Sequence, residues 1–321
     1  MIDTRSLITP HLIRNKNFYV AYSGGVDSTV LLKEVCEAAK KVNCNVTAIH
    51  INHGYSKFSD NWEQHCEKFC IEHDYPLQKF SLNIAEAEGA SLESVMREKR
   101  YEIFQSLIGK NETLFMGHHL DDQIETLFFR ILRGSGLKGS SSIPFKRNLG
   151  KGLLVRPFLN LSKNEIYEIA KLKKLKFIED ESNKDIKFDR NFLRNEVIEK
   201  ISERWPNYRK SLSKYIENQK SSHEFLKEIT TIELKKILHG KNIDVNKLKK
   251  YDSKYQKILI LQWLEMNNCN SPSSSALDEL TKFFVSSEKT KEPKFIWGSK
   301  EKGNYICLKI KKGIISIESN P

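Results

Sequence analysis

Apolar residues in the first 130 positions follow two periods. Short runs with aromatic and β-branched members, at residues 18–22 and 46–51, predict buried strands. Residues 77–82 and 113–116 predict two more. Between them, apolar positions recur three or four residues apart. Residues 29–41 carry Val30, Leu31, Val35 and Ala38 on one side and predict a helix. So do residues 59–73, and 91–108, where Ser91 caps a stripe of Leu92, Val95, Met96, Ile103, Phe104 and Leu107. Residues 121–133 repeat the pattern with Ile124, Phe128 and Ile131. Strand alternating with helix predicts an α/β fold: a parallel, Rossmann-like sheet with helices on both faces. Ligands of such sheets sit beyond the carboxyl ends of the strands. The turn after Ser23, the stretch His50 to Gly54 and the stretch Gly117 to His119 all fall at such ends, so they converge on one crevice.

Residues 134–152 are rich in Gly, Ser and Lys and read as a mobile loop. Gly134-Ser135-Gly136-Leu137-Lys138-Gly139 matches G-x-G-x-x-G by letter, but it follows a helix and is no dinucleotide fingerprint. Ser162-Lys163-Asn164-Glu165 is a capping box that opens a helix to residue 174. Residues 177–180 read as a short extended piece, 181–185 as a polar loop, and a helix starts near Arg190. After Trp205-Pro206 glycine becomes scarce and Lys/Glu-rich helical patterns run to about residue 268. A helix at 275–286 and short strands at 295–297, 305–308 and 314–317 follow. The change of character places a boundary at 205–215, giving domains 1–210 and 211–321, the second mainly helical and ending in a few strands.

Composition narrows the class. At 321 residues, 39% hydrophobic and 10% aromatic, the chain is globular and long enough for two domains. Its net charge of +12 favours a polyanion, nucleic acid first, although a lysine-rich proteome gives the same figure. Six scattered cysteines form no Cys-x-x-Cys. Cys66 and Cys70, one helical turn apart beside Trp62 and Phe69, read as core, and a reduced cytoplasmic setting fits. The polar start with Pro10 reads as no signal peptide, and no apolar run reaches membrane-spanning length. The oligomeric state stays open, a homodimer included.

The chemistry gathers in three places. Ser23-Gly24-Gly25-Val26-Asp27-Ser28 is a strand, a tight glycine turn and a helix N-terminus. Free backbone N–H groups and the helix dipole suit an anion there, and the glycines let a phosphate approach. Ser23 and Ser28 can add hydroxyls. Asp27 would repel bare phosphate, which suggests Mg²⁺ between carboxylate and nucleotide. An ordinary βα turn with a serine cap is the plainer reading. Gly117-His118-His119-Leu120-Asp121-Asp122-Gln123-Ile124-Glu125-Thr126 puts Asp122 and Glu125 on one helical face. Dipole stabilisation explains one or two acids in a first turn, but not two histidines and three carboxylates together. The His-x-x-x-His spacing of a helical metal site is missing. Glu93, Arg97 and Tyr101 lie four apart, as an ion pair or as an arginine grip on a carboxylate. Arg190 and Arg194, with Phe192 between them, suit a phosphate backbone and a stacked base, or a salt bridge to the acids at 179–181.

The Ser-Gly-Gly-Val-Asp-Ser loop resembles the PP-loop of the ATP pyrophosphatase superfamily. With it, His50-Ile51-Asn52-His53-Gly54, residues 93–101, the block 117–139, Glu179-Asp180-x-Ser182-Asn183 and Arg190-Asn191-x-x-Arg194 resemble the tRNA(Ile)-lysidine synthetase family, in order, over about two-thirds of the chain. The resemblance implies an ATP- and Mg²⁺-dependent ligase that attaches free lysine to the wobble cytidine of an isoleucine tRNA with a CAU anticodon. ATP adenylates the 2-carbonyl oxygen, then the lysine ε-amine displaces AMP. On this reading Ser23, Gly24, Gly25, Val26, Asp27 and Ser28 bind ATP, with Asp27 on the metal. Arg97 meets the lysine carboxylate, Asp122 and Glu125 its ammonium, and His118 or His119 takes a proton. Arg190, Arg194 and Arg133, which heads the Arg-Gly-Ser-Gly tail, contact tRNA. The last third matches loosely, and the extra C-terminal domain of longer members is not represented. Lys235-Lys236, Lys249-Lys250 and Lys311-Lys312 are candidate phosphate contacts or plain solvated surface. Three rivals remain: a PP-loop tRNA thiolase, which needs a cysteine pair at the sheet edge; an amide-forming synthetase, which needs an ammonia source; and an inactive basic RNA-binding protein.

Overall fold

The computed structural model describes residues 3–13, 16–54, 58–82, 92–179, 185–286, 293–299 and 304–318. Ser91, Asp180, Ser182 and Asn183 lie outside the described residues, as does the side chain of Glu93. The chain forms two compact units that divide between Lys220 and Ser221.

The first unit is built on a six-stranded sheet. Its strands are β1 (Asn17–Ala21), β2 (Asn45–Asn52), β3 (Leu77–Ser81), β4 (Thr113–Phe115), β5 (Lys146–Leu149) and β6 (Gly152–Val155), in the order β3-β2-β1-β4-β6-β5. All neighbours are parallel except β5, which pairs antiparallel with β6 at the edge. Side chains alternate across the sheet. Phe18 and Val20 join one core cluster with Val46 and Ala48, while Tyr19 and Ala21 face the opposite one with Ile49 and Ile51. The helices are α1 (Thr4–Ile8), α2 (Val26–Val42), α3 (Ser59–His73), α4 (Leu92–Leu107), α5 (Leu120–Leu132), α6 (Leu137–Ser140), α7 (Lys163–Leu172), α8 (Asp189–Phe192) and α9 (Glu199–Arg204). One π-helical turn, Leu193–Ile198, joins α8 to α9. Parallel strands buried on both faces read as near-continuous apolar runs, which is why β1 and β2 were visible in the sequence.

The stretch 134–152 corrects the expectation of a mobile loop. It contains α6, all of β5 and the first residue of β6, and α5 ties it down. Gln123 donates from Nε2 to Ile143 O and accepts from Ile143 N–H, at 3.1 and 2.6 Å. Arg130 Nη1 donates to Gly139 O and Ser142 O, at 3.1 and 2.7 Å. The strands are four residues long and β5 is polar, so neither carries a period that sequence can show.

The second unit holds the later part of α10 (Tyr208–Ile237), then β7 (Leu238–His239), β8 (Asn242–Asp244), α11 (Val245–Leu248), α12 (Ser253–Met266), α13 (Ser274–Ser286), β9 (Lys294–Ser299), β10 (Asn304–Lys311) and β11 (Ile314–Glu318). Its sheet runs β7-β8-β11-β10-β9, antiparallel throughout. Trp263, Leu259, Ile260, Phe284, Leu308 and Ile315 make its core. The terminal strands match the sequence reading. β7 and β8 interrupt what read as continuous helix, since segments of two and three residues are too short for a period.

Candidate active site

β1 and β4 are neighbours, and the chain leaves them in opposite directions through the sheet order, so a crevice opens at their carboxyl ends. The first wall is the turn after β1. Gly24 sits at φ +85°, and Gly25 precedes the first turn of α2 with no side chain capping it. The leading N–H groups of α2 are thus free for an anion. Ser28 Oγ donates to Gly25 O at 3.0 Å and accepts from Ser23 N–H at 3.2 Å, and the two serine hydroxyls lie 3.1 Å apart. Thr29 Oγ1 donates to Gly25 O at 2.9 Å. Ile178 braces the loop from outside, pairing with Gly25 and donating its N–H to Gly24 O at 2.9 Å.

Asp27 stands at the mouth of this loop. Burial holds its carboxyl above the usual range, against the pull of His119 and Lys163. Its Oδ1 is buried with no hydrogen-bond partner among the described residues. An orphaned carboxylate oxygen beside a phosphate loop fits a divalent cation. No group of three His, Cys, Asp or Glu among the described residues could hold a metal alone, so such a cation would also draw on phosphate oxygens.

The second wall is the entry to α5. His119 N–H donates to Asp122 Oδ2 at 2.9 Å, closing the helix start. The His119 ring is 3% exposed and faces three carboxylates: Asp27 and Asp122 from Nε2, at 3.7 and 3.5 Å, and Asp121 from Nδ1, at 3.8 Å. Asp121 is fixed by the N–H of Lys163 and by Arg209 Nε, each at 2.8 Å.

The third wall is α8 and the π turn. Arg190 donates from Nη2 to Asp122 Oδ1 and from Nε to Glu125 Oε2, both at 2.7 Å. Arg194 donates from Nε to Glu125 Oε1 at 2.6 Å and from Nη2 to Oε2 at 3.1 Å. These charge-assisted bonds cross 65 to 69 positions of sequence. For Asp122, burial alone would raise the carboxyl, but His119, Arg190 and His118 outweigh it and hold the group below its usual range.

The pocket these walls enclose has a volume of about 550 Å³, the size of a small-ligand site. Ile49, Ile51, Met96, Phe104 and Met116 give it an apolar side, and Arg97 and Arg100 enter from α4. Arg97 also lies over the Tyr101 ring, 5.3 Å from its centroid. Burial pushes His118 down to about 3, with Arg156 and Arg190 adding to it and Asp122 opposing, and pushes His53 down to about 4 with help from Arg100.

Comparison with known proteins agrees with this geometry. A family model described as a PP-loop domain matches residues 3–201. The tRNA(Ile)-lysidine synthase of Buchnera aphidicola subsp. Acyrthosiphon pisum is 37% identical over 296 residues, covering 91% of this chain and 66% of the relative. Those of Coxiella burnetii and Pseudomonas putida are 33% and 41% identical, over 84% and 71% of this chain and 60% and 53% of theirs. The chain belongs to the tRNA(Ile)-lysidine synthase family. It spans between about half and two-thirds of the length of these curated relatives. A solved U34-tRNA thiolase from Methanococcus maripaludis, determined with its [4Fe-4S] cluster, shares the fold. The TM-score is 0.51 with 19% identity, over 67% of this chain and 77% of that one.

Most residues singled out from the sequence of this lysidine-synthase family member meet in the one pocket: Ser23, Asp27, Ser28, Arg97, His118, Asp122, Arg190 and Arg194 line it. Glu125 sits directly behind, 2% exposed. Arg133 does not join them; it is exposed and stacks on Phe129, 4.9 Å from the ring centroid. Arg190 and Arg194 turn inward onto Asp122 and Glu125; of the acids just before them in sequence, Asp180 and Glu181 lie outside the described residues. Arg156, Arg209 and Arg100 escaped the sequence reading, and the sequence places His53 at the crevice only as part of the stretch His50 to Gly54. Of the three arginines only Arg156 left a trace there, as a charged residue directly after the apolar run Leu153-Leu154-Val155.

The pocket histidines set a pH dependence. An unfolded histidine takes up its proton near pH 6.5, His118 only at about 3 and His53 at about 4. Between these values the unfolded chain binds more protons. Stability is therefore full above pH 6.5 and is lost as pH falls, by up to about 1.4 kcal/mol per pH unit for each histidine. Urea midpoints of the full chain should fall from pH 7 through 6 to 5, and less steeply in His118→Gln. Parallel curves for the two proteins would contradict this account.

Proposed function

We propose that the chain uses ATP and Mg²⁺ to ligate free L-lysine to the wobble cytidine of an isoleucine tRNA bearing a CAU anticodon, in the cytoplasm. The observation that carries the reading is a phosphate-type loop and the Asp122 carboxylate lining one pocket, with Glu125 directly behind it, in a chain of this family. The turn at Ser23 to Ser28 binds the phosphates through α2's leading N–H groups. Asp27 would hold the metal, which offsets phosphate charge when bound. The apolar side of the pocket suits a nucleobase. In the first half-reaction the cytidine 2-carbonyl oxygen attacks the α-phosphorus and pyrophosphate leaves. In the second, the deprotonated ε-amine forms a bond to C2 while the C2–O bond breaks and AMP departs with its electron pair.

The lysine carboxylate falls to Arg97, for which no carboxylate partner occurs among the described residues. Asp122 and Glu125 receive an ammonium. Arg190 and Arg194 already engage them, but carboxylate oxygens have more than one lone-pair site each. Arg133, with residues 211–321, contributes contacts to tRNA, in keeping with the net charge of +12. No described helix is long and apolar enough to cross a membrane, and all six cysteines are free, which suits a reducing compartment. No cysteine lines the pocket, so sulfur chemistry has no residue to start from there.

Labelled lysine should enter a CAU-anticodon isoleucine tRNA transcript in the presence of ATP and Mg²⁺, with AMP released, and should not enter a methionine tRNA. AMP release without lysine transfer would point to another nucleophile. No AMP with any tRNA would leave a binding protein.

A further inference from the structure

Among the described residues, Arg156 is the one buried arginine or lysine, 2% exposed just past the end of β6. No carboxylate among the described residues pairs with it. Nη1 donates to Pro144 O at 2.7 Å, and Nε donates to His118 Nδ1 at 3.3 Å. The Tyr101 phenol is a third neighbour, hydrogen-bonded to Arg156. That phenol is itself gripped by cations. Arg147 and Arg97 lie 4.6 and 5.3 Å from the ring centroid. Burial alone would raise the phenol, but Arg97, Arg156 and Arg147 outweigh it and hold it below the usual tyrosine range.

A guanidinium offers five N–H donors, has no acceptor, and keeps its proton in proteins. The His118 nitrogen facing Arg156 must therefore carry a lone pair. In a neutral imidazole the proton then sits on Nε2. We infer that Arg156 fixes the Nε2–H tautomer of His118, and that His118 presents this N–H to a phosphoryl oxygen of the bound nucleotide as a hydrogen-bond donor, not as the base for the lysine amine. The acceptor rests on the reading under Proposed function; the tautomer does not. Arg156 is a positioning residue. It acts through His118, and Tyr101 and Pro144 O hold it in place.

Three features support the donor role. A general base works best with a pKa near the operating pH, and His118 lies far below it. The charged groups facing it are Asp122 on one side and Arg156, Arg190 and Arg100 on the other, so cations outnumber the carboxylate. His118 also lines the same pocket as Ser23 and Asp27 of the phosphate loop, where a preset donor meets developing negative charge without reorganising.

The test is a ¹⁵N spectrum of the full chain labelled at histidine, with the His118 signals assigned by their loss in His118→Gln. Wild type should show an unprotonated Nδ1 and a protonated Nε2, unchanged between pH 5.5 and 8. In Arg156→Gln the proton should redistribute towards Nδ1, and the ring should begin to titrate in that range. A protonated Nδ1 in wild type, or titration there, overturns the inference, even if Arg156→Gln does not fold. In turnover, a glutamine amide can stand in for Nε2–H but not for a base. His118→Gln should lose at most about tenfold and His118→Ala about a hundredfold or more, in the range of a lost preorganised donor. Equal losses overturn the donor role. The spectrum needs no substrate, so it stands or falls apart from lysine transfer. Failed lysine incorporation with the expected spectrum removes the proposed reaction alone.

Discussion

Gly24→Ala should lower ATP-dependent turnover by about a hundredfold or more and weaken ATP binding, while the chain stays folded. Gly24 sits at φ +85°, where a Cβ costs about 1–2 kcal/mol. Space is the larger obstacle. A Cβ would lie 2.7 Å from Ile178 Cδ1 and 2.9 Å from the buried Sγ of Cys66. The Ile178 methyl can turn aside, but the Cys66 side chain on α3 is fully enclosed and cannot withdraw freely. The backbone of the loop must shift instead, taking the leading N–H groups of α2 out of register with the phosphates. Gly136→Ala is the control. That glycine has φ −75° and open space where its Cβ would go, so stability should change by less than about 0.5 kcal/mol. Pyrophosphate release and ATP titration report both variants. If Gly24→Ala binds and turns over ATP like wild type, the loop is an ordinary βα turn and not a phosphate cradle.

Glu125→Ala should destabilise the first unit by about 3 kcal/mol. Glu125 is 2% exposed and receives three short bonds from Arg190 and Arg194. Removing it leaves two largely enclosed guanidiniums without their shared counter-charge, although Arg190 keeps its bond to Asp122. The loss comes mainly from stranding those charges, since a buried ion pair adds little net stability of its own. A triple variant, Glu125→Ala with Arg190→Met and Arg194→Met, should therefore regain most of the lost stability. It should still not use lysine, because the proposed ammonium site is gone. Urea unfolding and labelled-lysine incorporation separate the two effects. An unchanged unfolding midpoint in Glu125→Ala would mean that the arginines are solvated and the cluster is not closed.

β1, α2, β2, α4 and α5 could be read from sequence because each is long or periodic enough to show which face it buries, and β4 (three residues) because it lies in the apolar run Leu114-Phe115-Met116. The convergence of Ser23, His50 to Gly54 and Gly117 to Asp122 followed from strand alternation alone, since parallel strands bring their carboxyl ends to one edge. The hairpin of β5 and β6 could not be read. Gly152 looks like loop glycine, yet a Cβ there would lie within 2.7 Å of the carbonyl oxygens of Glu112 and Gly109. It is in fact the point where β6 passes close to the chain entering β4.

By itself the sequence determined the α/β architecture, the phosphate-type turn and the set of charged residues available to the pocket, because these depend on local period and on residue type. Only the tertiary structure decided which charge faces which. Arg190 and Arg194 close on Asp122 and Glu125, Arg156 reaches back to His118, and Arg209 holds Asp121. Each of these contacts joins segments at least 38 positions apart. Charge interactions and hydrogen bonds act over a few ångströms of space, and residue order along the chain does not set those distances until the core has packed.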